Sequence, residues 1–260
     1  MKVKALEIQH RRDRIIALLE RFKVLRVTQL VNELGVSDET IRKDLRVLEK
    51  QGLIIKNYGT ASLVASTTDN IPKQVTARMG HKQTTKYQLA QKVLEILPVD
   101  QNKTIALDQG TTIATVAEVL SEYTHNTIFS SSLLALSKLA TTNNTVYCLG
   151  GRYDRNDMSY QFTDLGIDYE AMHYDYCLMG SSGVKQRHGI CSTSFADAQM
   201  KRHMVTHSEV SIAVIEAEKF EATSLVEAVS WQEIDYVVTN IAPDAPMVAE
   251  LQAQTHLLLV

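Results

Sequence analysis

The sequence predicts an α/β protein in two parts, an N-terminal winged helix-turn-helix joined to a larger α/β domain with a mainly parallel sheet. Three observations carry that expectation. Apolar residues recur at helical spacing three times within the first fifty residues, and two short β-prone runs follow. From residue 103 onward, apolar strands alternate with helical stretches, as in a parallel sheet covered by helices. Charge divides along the chain as well: residues 1–62 carry 13 Lys and Arg against 8 Asp and Glu, or +5, and the remainder carries 14 against 22, or −8. A basic head on an acidic body suits a protein of which only one end meets a polyanion.

At 260 residues, 45% apolar and 22% charged, the chain is long enough for one large domain or two smaller ones. No apolar run approaches the roughly 18 residues that span a bilayer, and MKVKALEIQHRRDR has no stretch of signal-peptide type, so a cytoplasmic protein without a membrane partner is expected. Cys148, Cys177 and Cys191 are odd in number and form no C-x-x-C pair. Neither a disulfide framework nor a zinc site is suggested, and they read as small buried or half-buried residues. No metal or cofactor is expected.

The head begins with Ile15, Leu18, Leu19 and Phe22, continues with Val27, Leu30, Val31 and Leu34, and ends with Ile41, Leu45 and Leu48. Each set marks one face of a short amphipathic helix. Thr28 and Ser37 stand where N-caps are expected, and Gly35 can supply the bend between the second and third helices. Asp38 and Glu39 suit the positive end of the third helix dipole. With Ile41, Leu45 and Leu48 inward, Glu39, Arg42, Lys43, Arg46 and Lys50 face outward. One acid among four cations fits a DNA major groove, where Arg and Lys reach phosphates or guanine edges. A solvated helix with surface ion pairs, Asp38 with Arg42 for example, is the plainer alternative.

Leu53 to Lys56 and Ala61 to Val64 then read as strands around the turn-like Asn57, Tyr58 and Gly59, which would form a wing. The block VSDETIRKDLRVLEKQGLIIKNYGTA resembles the N-terminal domain of the DeoR family of bacterial transcriptional repressors, whose pattern is close to VS-x-x-T-I-R-R-D-L…L-E-x-x-G-L-I…H-G-G-A. Tyr58, Thr60 and Lys43 depart from that pattern, which bears on operator preference. The residues expected to face double-stranded DNA are Thr28, Ser37, Glu39, Thr40, Arg42, Lys43, Arg46, Lys56 and Tyr58. Residues 1–64 form the expected DNA-binding domain.

Residues 65–102 read as a linker, with the polar STTDN, a break at Pro72, and a connecting helix from about Thr84 through Leu89, Val93, Ile96 and Leu97 to Pro98. Residues 103–260 form the expected α/β domain. TIAL at 104–107, TIFS at 127–130, TVYCLG at 145–150, YDYCLMG at 174–180, VSIAVIE at 210–216 and DYVVT at 235–239 read as strands, with helices at about Thr112 to Leu120 and Leu133 to Ala140. Ligands of such sheets bind beyond the C-terminal strand ends. DQGTT, SSSL, GGR, GSSG and EAEK follow the strands there, offering close backbone approach, hydroxyls and helix N-termini of the kind that hold a phosphate.

The same loops extend the resemblance from about residue 10 to residue 240. The family's sensor domain reads near D-x-G-T-T, T-N-S-L, L-G-G, G-A-D-G-I, E-A-x-x-K-R-x-M and A-D-S-S-K-F. This chain has DQGTT, SSSL, LGG, GSSGV, DAQMKRHM and IEAEKF. The resemblance implies an effector pocket for a phosphorylated sugar, with Asp108, Gly110, Thr111, Thr112, Ser131, Ser132, Gly150, Gly151, Ser182, Lys201 and Lys219 in or beside it. Asp108 would accept sugar hydroxyls, Thr111 and Thr112 would take the phosphate, and Lys219 would add a cation. Lys201 and Arg202 could equally sit on a helix surface.

The resemblance also implies a homo-oligomer, dimer or tetramer, that represses a carbohydrate-utilisation operon. The sensor domain is similar in fold to ribose-5-phosphate isomerase and the CoA transferases, so a sugar-phosphate isomerase with a basic appendage is the alternative. Asp108, Asp197, Glu216 and Lys219 could be cast for that chemistry. However, Ser182 stands where the G-A-D pattern has its acid, and a hydroxyl is no base near neutral pH without activation. No enzymatic role is therefore expected. The histidines share no metal-ligand spacing, and Trp231 reads as a packing residue.

Overall fold

A computed structural model describes residues 2–22, 24–50, 53–57, 59–63, 75–98, 102–161 and 171–260. Two compact units divide at residue 84, Met1–Thr84 and Thr85–Val260. Tyr58, Val64, the STTDN segment and Pro72 lie outside the described residues.

The first unit contains α1 (Lys2–Phe22), β1 (Val24–Arg26), α2 (Val27–Leu34), α3 (Asp38–Lys50), β2 (Ile54–Asn57), β3 (Thr60–Leu63) and α4 (Val75–Arg78). Ile15, Ile16, Leu19, Leu30, Ile41, Leu45, Leu48 and Ile54 close one core, as the helical spacing requires. Gly35 ends α2 at φ 67, the left-handed conformation that glycine adopts without steric cost. Ser37 caps α3, its Oγ accepting the Thr40 N–H at 3.3 Å. Thr28 is not the cap: α2 starts at Val27, its N-cap is Arg26, two residues before Thr28, and Gln29 Oε1 accepts the Arg26 N–H at 2.8 Å. Phe22 is exposed rather than inward, because Ile16 takes its share of the core at the other end of the stripe.

The wing strands run one residue off the expected spans at each end. A third strand was not anticipated: β1 pairs with β3, giving the order β1-β3-β2, all antiparallel. Three residues of VLR between two helices carry too short a pattern to register alone. Val27 N–H donates to Gly59 O at 2.9 Å, which fastens the wing turn to the start of α2.

The connecting helix α5 (Gln83–Val93) leads into β4 (Thr104–Leu107), α6 (Thr111–Leu120), β5 (Thr127–Ser130), α7 (Leu133–Leu139), β6 (Thr145–Cys148), β7 (Arg152–Asp154), β8 (Ser159–Gln161) and β9 (Tyr174–Met179). The remainder is β10 (Gly189–Ser192), α8 (Phe195–Thr206), β11 (Ser208–Ile215), β12 (Val226–Ser230), β13 (Tyr236–Thr239), α9 (Pro246–Gln252) and β14 (His256–Leu259). Seven strands form one parallel sheet in the order β14-β13-β11-β9-β4-β5-β6. β7 and β8 form a separate antiparallel hairpin, and β10 pairs antiparallel with β12 across the intervening α8 and β11.

Alternation along the strands builds two cores. Ile105, Leu107, Leu178, Ile212, Val214 and Val238 face one, while Ala106, Cys177, Met179, Ala213, Ile215 and Val237 face the other with Trp231. Sheet order reverses at β4. From it β5 and β6 step outward on one side, and the chain then returns to lay β9, β11, β13 and β14 on the other. The crevice beyond the C-terminal ends of β4 and β9 is therefore the topological switch point, where such sheets hold their ligands. Cys177 and Cys191 are buried as expected, but Cys148 is exposed, because β6 is an edge strand.

Candidate functional site

In the first unit the outward face of α3 is as expected: Glu39, Arg42, Lys43, Arg46 and Lys50 are exposed. Between α3 and the wing runs a groove of about 410 Å³, lined by Val27, Arg42, Leu45, Arg46, Lys56, Gly59 and Thr60. Three of the expected DNA-facing cations thus meet at one concave surface. Thr28, Ser37, Glu39, Thr40 and Lys43 lie off its lining. Arg42 is held along the helix by Asp38, both Nε and Nη2 donating to that carboxylate, and Arg46 Nε donates to Arg42 O at 3.3 Å. The surface ion pair and the cationic face therefore coexist. Lys56 meets Glu49 at 2.7 Å.

Asp44 went unnoticed in the sequence. It is 1% exposed, and its two oxygens accept from Arg11 Nε at 2.6 Å and Arg12 Nε at 2.9 Å, clamping α3 to α1. A signal existed, since Ile41, Asp44, Leu45 and Leu48 complete the i, i+3, i+4, i+7 stripe.

In the second unit the switch point gathers Asp108, Gly180 and Lys201. Asp108 is 1% exposed, and its Oδ2 accepts both the Lys201 ammonium and the Gly180 N–H, the latter at 3.0 Å. Its Oδ1 is buried with no hydrogen-bond partner among the described residues. Lys201 reaches this point from α8, and Asp197, one turn earlier on the same helix, stands 3.4 Å from its Nζ. At 3% exposed, Lys201 is not the helix-surface residue that was the alternative; Arg202 is, and it pairs with Glu233. Burial raises the Asp108 carboxyl to about 6, and Asp197 adds to the rise, against the Lys201 ammonium and the Gly180 N–H. Burial works against the Lys201 charge, but Asp108 and Asp197 outweigh it and hold its pKa above the ordinary value.

Gly110 is the N-cap of α6 at φ 103 and, being glycine, offers that helix no capping side chain of its own. Thr111 and Thr112 open it, with Thr111 buried and the Thr112 hydroxyl donating to Glu216 at 2.7 Å. Ser131 and Ser132 are buried after β5, and Ser132 caps α7 through the Ala135 N–H. Gly150 and Gly151 follow β6, two strands from β4. Ser182 Oγ is committed to Cys191 O at 2.9 Å and Ser224 Oγ at 2.6 Å. Lys219 lies in a 3-10 turn after β11, its N–H on Glu216 O at 2.8 Å and its Nζ 3.4 Å from Glu218. Asp108, Gly110, Thr111, Thr112 and Lys201 therefore surround the start of α6, whereas Ser132 and Ser182 are tied to neighbouring loops.

The family model described as the DeoR C terminal sensor domain matches residues 81–241, and the DeoR-like helix-turn-helix domain matches residues 11–67. This chain belongs to the DeoR family. It is a DNA-binding transcriptional regulator rather than an enzyme. Curated relatives agree. The glycerol-3-phosphate regulon repressor of Escherichia coli K12 is 26% identical over 250 residues, covering 96% of this chain and 97% of its own. The HTH-type transcriptional regulator GolR of Listeria innocua is 26% identical over 88% of this chain and 89% of its own. The L-fucose operon activator of Haemophilus influenzae is 26% identical over 82% of this chain and 84% of its own. Among solved structures, ribose 5 phosphate isomerase A from Neisseria gonorrhoeae aligns with 54% of this chain and 55% of its own, at 17% identity and a TM-score of 0.39.

In this DeoR-family regulator no helix among the described residues is long and apolar enough to cross a membrane. Nor does any group of three or more His, Cys, Asp or Glu among them fit a metal ion. Asp197, named above only for isomerase chemistry, is the second carboxylate on Lys201, at the i, i+4 spacing along α8.

Proposed function

We propose that this regulator represses a carbohydrate-utilisation operon in the cytoplasm, binding its operator as a homo-oligomer and releasing it when a phosphorylated sugar enters the sensor. Residues 1–64 bind the DNA, residues 103–260 sense the effector and assemble the oligomer, and residues 65–102 connect them. The observation that carries the reading is the orphaned Asp108 Oδ1 beside the glycine-capped N-terminus of α6 at the switch point. A buried carboxylate oxygen without a donor asks for a hydroxyl, and a helix N-terminus asks for an anion; a sugar phosphate brings both. Thr111, Thr112 and the first-turn N–H groups take the phosphate, and Lys219 supplies a cation. Ser131, Ser132, Gly150, Gly151 and Ser182 shape the surrounding loops. The effector prefers an oligomer that grips DNA less well, and by linkage DNA opposes effector binding equally.

The test is a fluorescence-anisotropy titration of the native upstream region with and without each of a panel of sugar phosphates. At least one compound is expected to weaken operator binding at least 5-fold, the lower end of ordinary coupling. No change with any member would overturn the reading.

Arg42, Arg46 and Lys56 are the DNA contacts the groove favours, joined by Lys43, Thr40 and the Ser37 end of α3. Arg42→Ala is expected to weaken operator binding by about 10-fold or more if its fork reads a base edge, with a smaller loss on non-specific DNA. Equal losses on both, with a salt slope about one unit shallower, would make it a phosphate contact instead. Competition anisotropy at several salt concentrations separates the two outcomes.

A further inference from the structure

Glu216 follows β11 directly and is 4% exposed. Its Oε1 accepts the Thr112 hydroxyl at 2.7 Å, while its Oε2 is buried with no hydrogen-bond partner among the described residues. The backbone around it is fixed on both sides. Ala217 N–H donates to Asn240 Oδ1 at 2.8 Å, and Glu216 O accepts the Lys219 N–H at 2.8 Å. Asp108 shows the same division of labour, one oxygen occupied and the other orphaned. Both carboxylates stand at C-terminal strand ends, one immediately before the α6 turn and one hydrogen-bonded to its second residue.

What could satisfy the second oxygen of Glu216 is limited by charge. A phosphate oxygen carries no proton to donate at neutral pH in its dianionic form, and it is repelled by a carboxylate. A hydroxyl donates and is neutral. An acid bonded to Thr112, which opens the anion-binding end of α6, thus divides the pocket into a part that welcomes negative charge and a part that requires donors. We propose that Glu216 is a specificity-determining residue that accepts a hydroxyl of the effector's sugar portion, so that the pocket selects a polyhydroxylated phosphate over inorganic phosphate or a deoxygenated analogue. This rests on the sugar-phosphate reading above. Thr112 orients the carboxylate, and Asp108 receives a second hydroxyl, so the ligand presents at least two donors. Glu216 is one methylene longer than the Asp of the A-D-S-S-K pattern, which sets the reach of this acceptor in this particular chain.

The experiment is isothermal titration calorimetry on the full chain and on Glu216→Gln, with pentose and hexose phosphates, their monodeoxy counterparts and inorganic phosphate. For a sugar phosphate that binds, Glu216→Gln is expected to lose about 10-fold or more in affinity, the scale of a charge-assisted hydrogen bond. Inorganic phosphate is expected to bind the variant unchanged or more tightly, because a repelling charge has gone. On the unaltered protein at least one monodeoxy analogue is expected to bind about 10-fold or more weakly than its parent. That comparison holds whether or not the variant folds. Equal losses for sugar phosphate and inorganic phosphate would reduce Glu216 to a structural support. Equal affinity for parent and every deoxy analogue would overturn the proposal and leave the sugar-phosphate reading standing, whereas no binding by any sugar phosphate would remove both.

Discussion

Lys201→Met is expected to destabilise the sensor by about 3–5 kcal/mol, the usual consequence of removing one partner of a buried ion pair and stranding the other. For a unit of this size that is roughly a 10 °C fall in midpoint. The stranded group is Asp108, 1% exposed, whose remaining donor among the described residues is the Gly180 N–H. Adding Asp108→Asn is expected to recover much of the loss, since a neutral amide does not need the ammonium. Differential scanning calorimetry of both variants checks this, and a Lys201→Met midpoint within 2 °C of the parent would refute it.

The pH dependence has a definite sign. Asp108 titrates at about 6 when folded, above its ordinary 3.8. The folded state therefore binds the extra proton more readily, and this group's favourable contribution is complete below the unfolded value and lost as pH rises through about 6. Without the Lys201 cation the carboxyl gains still more from protonation. The Lys201→Met deficit is thus expected to shrink between pH 8 and pH 5, and a deficit that is the same at both would show that Asp108 is not its cause.

Asp44→Asn is expected to cost the winged helix about 3 kcal/mol, for the same physical reason in a smaller unit. The carboxylate bridges Arg11 and Arg12, so its loss removes the counter-charge that both guanidiniums share. A domain of this size has roughly 5–10 kcal/mol in total, so the loss is a large fraction. Operator affinity should fall with it, because α3 is the helix the clamp holds. Arg11 and Arg12 are 20% and 17% exposed, near enough to water to turn outward, so Asp44→Leu, which completes the apolar stripe, should be milder than Asp44→Asn. Urea unfolding reports stability and anisotropy reports DNA binding. The reverse order of the two variants would argue against the clamp.

How much of this was legible beforehand follows from the range of the forces involved. Ile41, Leu45 and Leu48 announced α3 because helix periodicity is local, and Ser37 and Gly35 announced its start because caps are local too. DQGTT and EAEK could be placed at strand ends for the same reason. The inward place of Asp44 was readable from the α3 stripe, but its partners were not, since they lie 33 and 32 residues away in sequence. Lys201 looked equally suited to a helix surface until the fold brought it to Asp108, 93 residues distant. Short strands such as β1, β7 and β8 carry three residues each, too few for alternation to show, and are stabilised by the partners they find.

The strand order has a kinetic consequence for a chain made from its N-terminus. The three helices and wing of the head close over contacts within residues 15 to 63, and such local contacts form fast. The central pair of the sensor is β4 with β9, and Leu107 must wait for Leu178 before it can align. The edge pairing of β13 with β14 waits for residues 256–259. During synthesis the helix-turn-helix end is therefore folded while the sensor domain is still unformed, and the growing chain carries a finished head ahead of its larger unit.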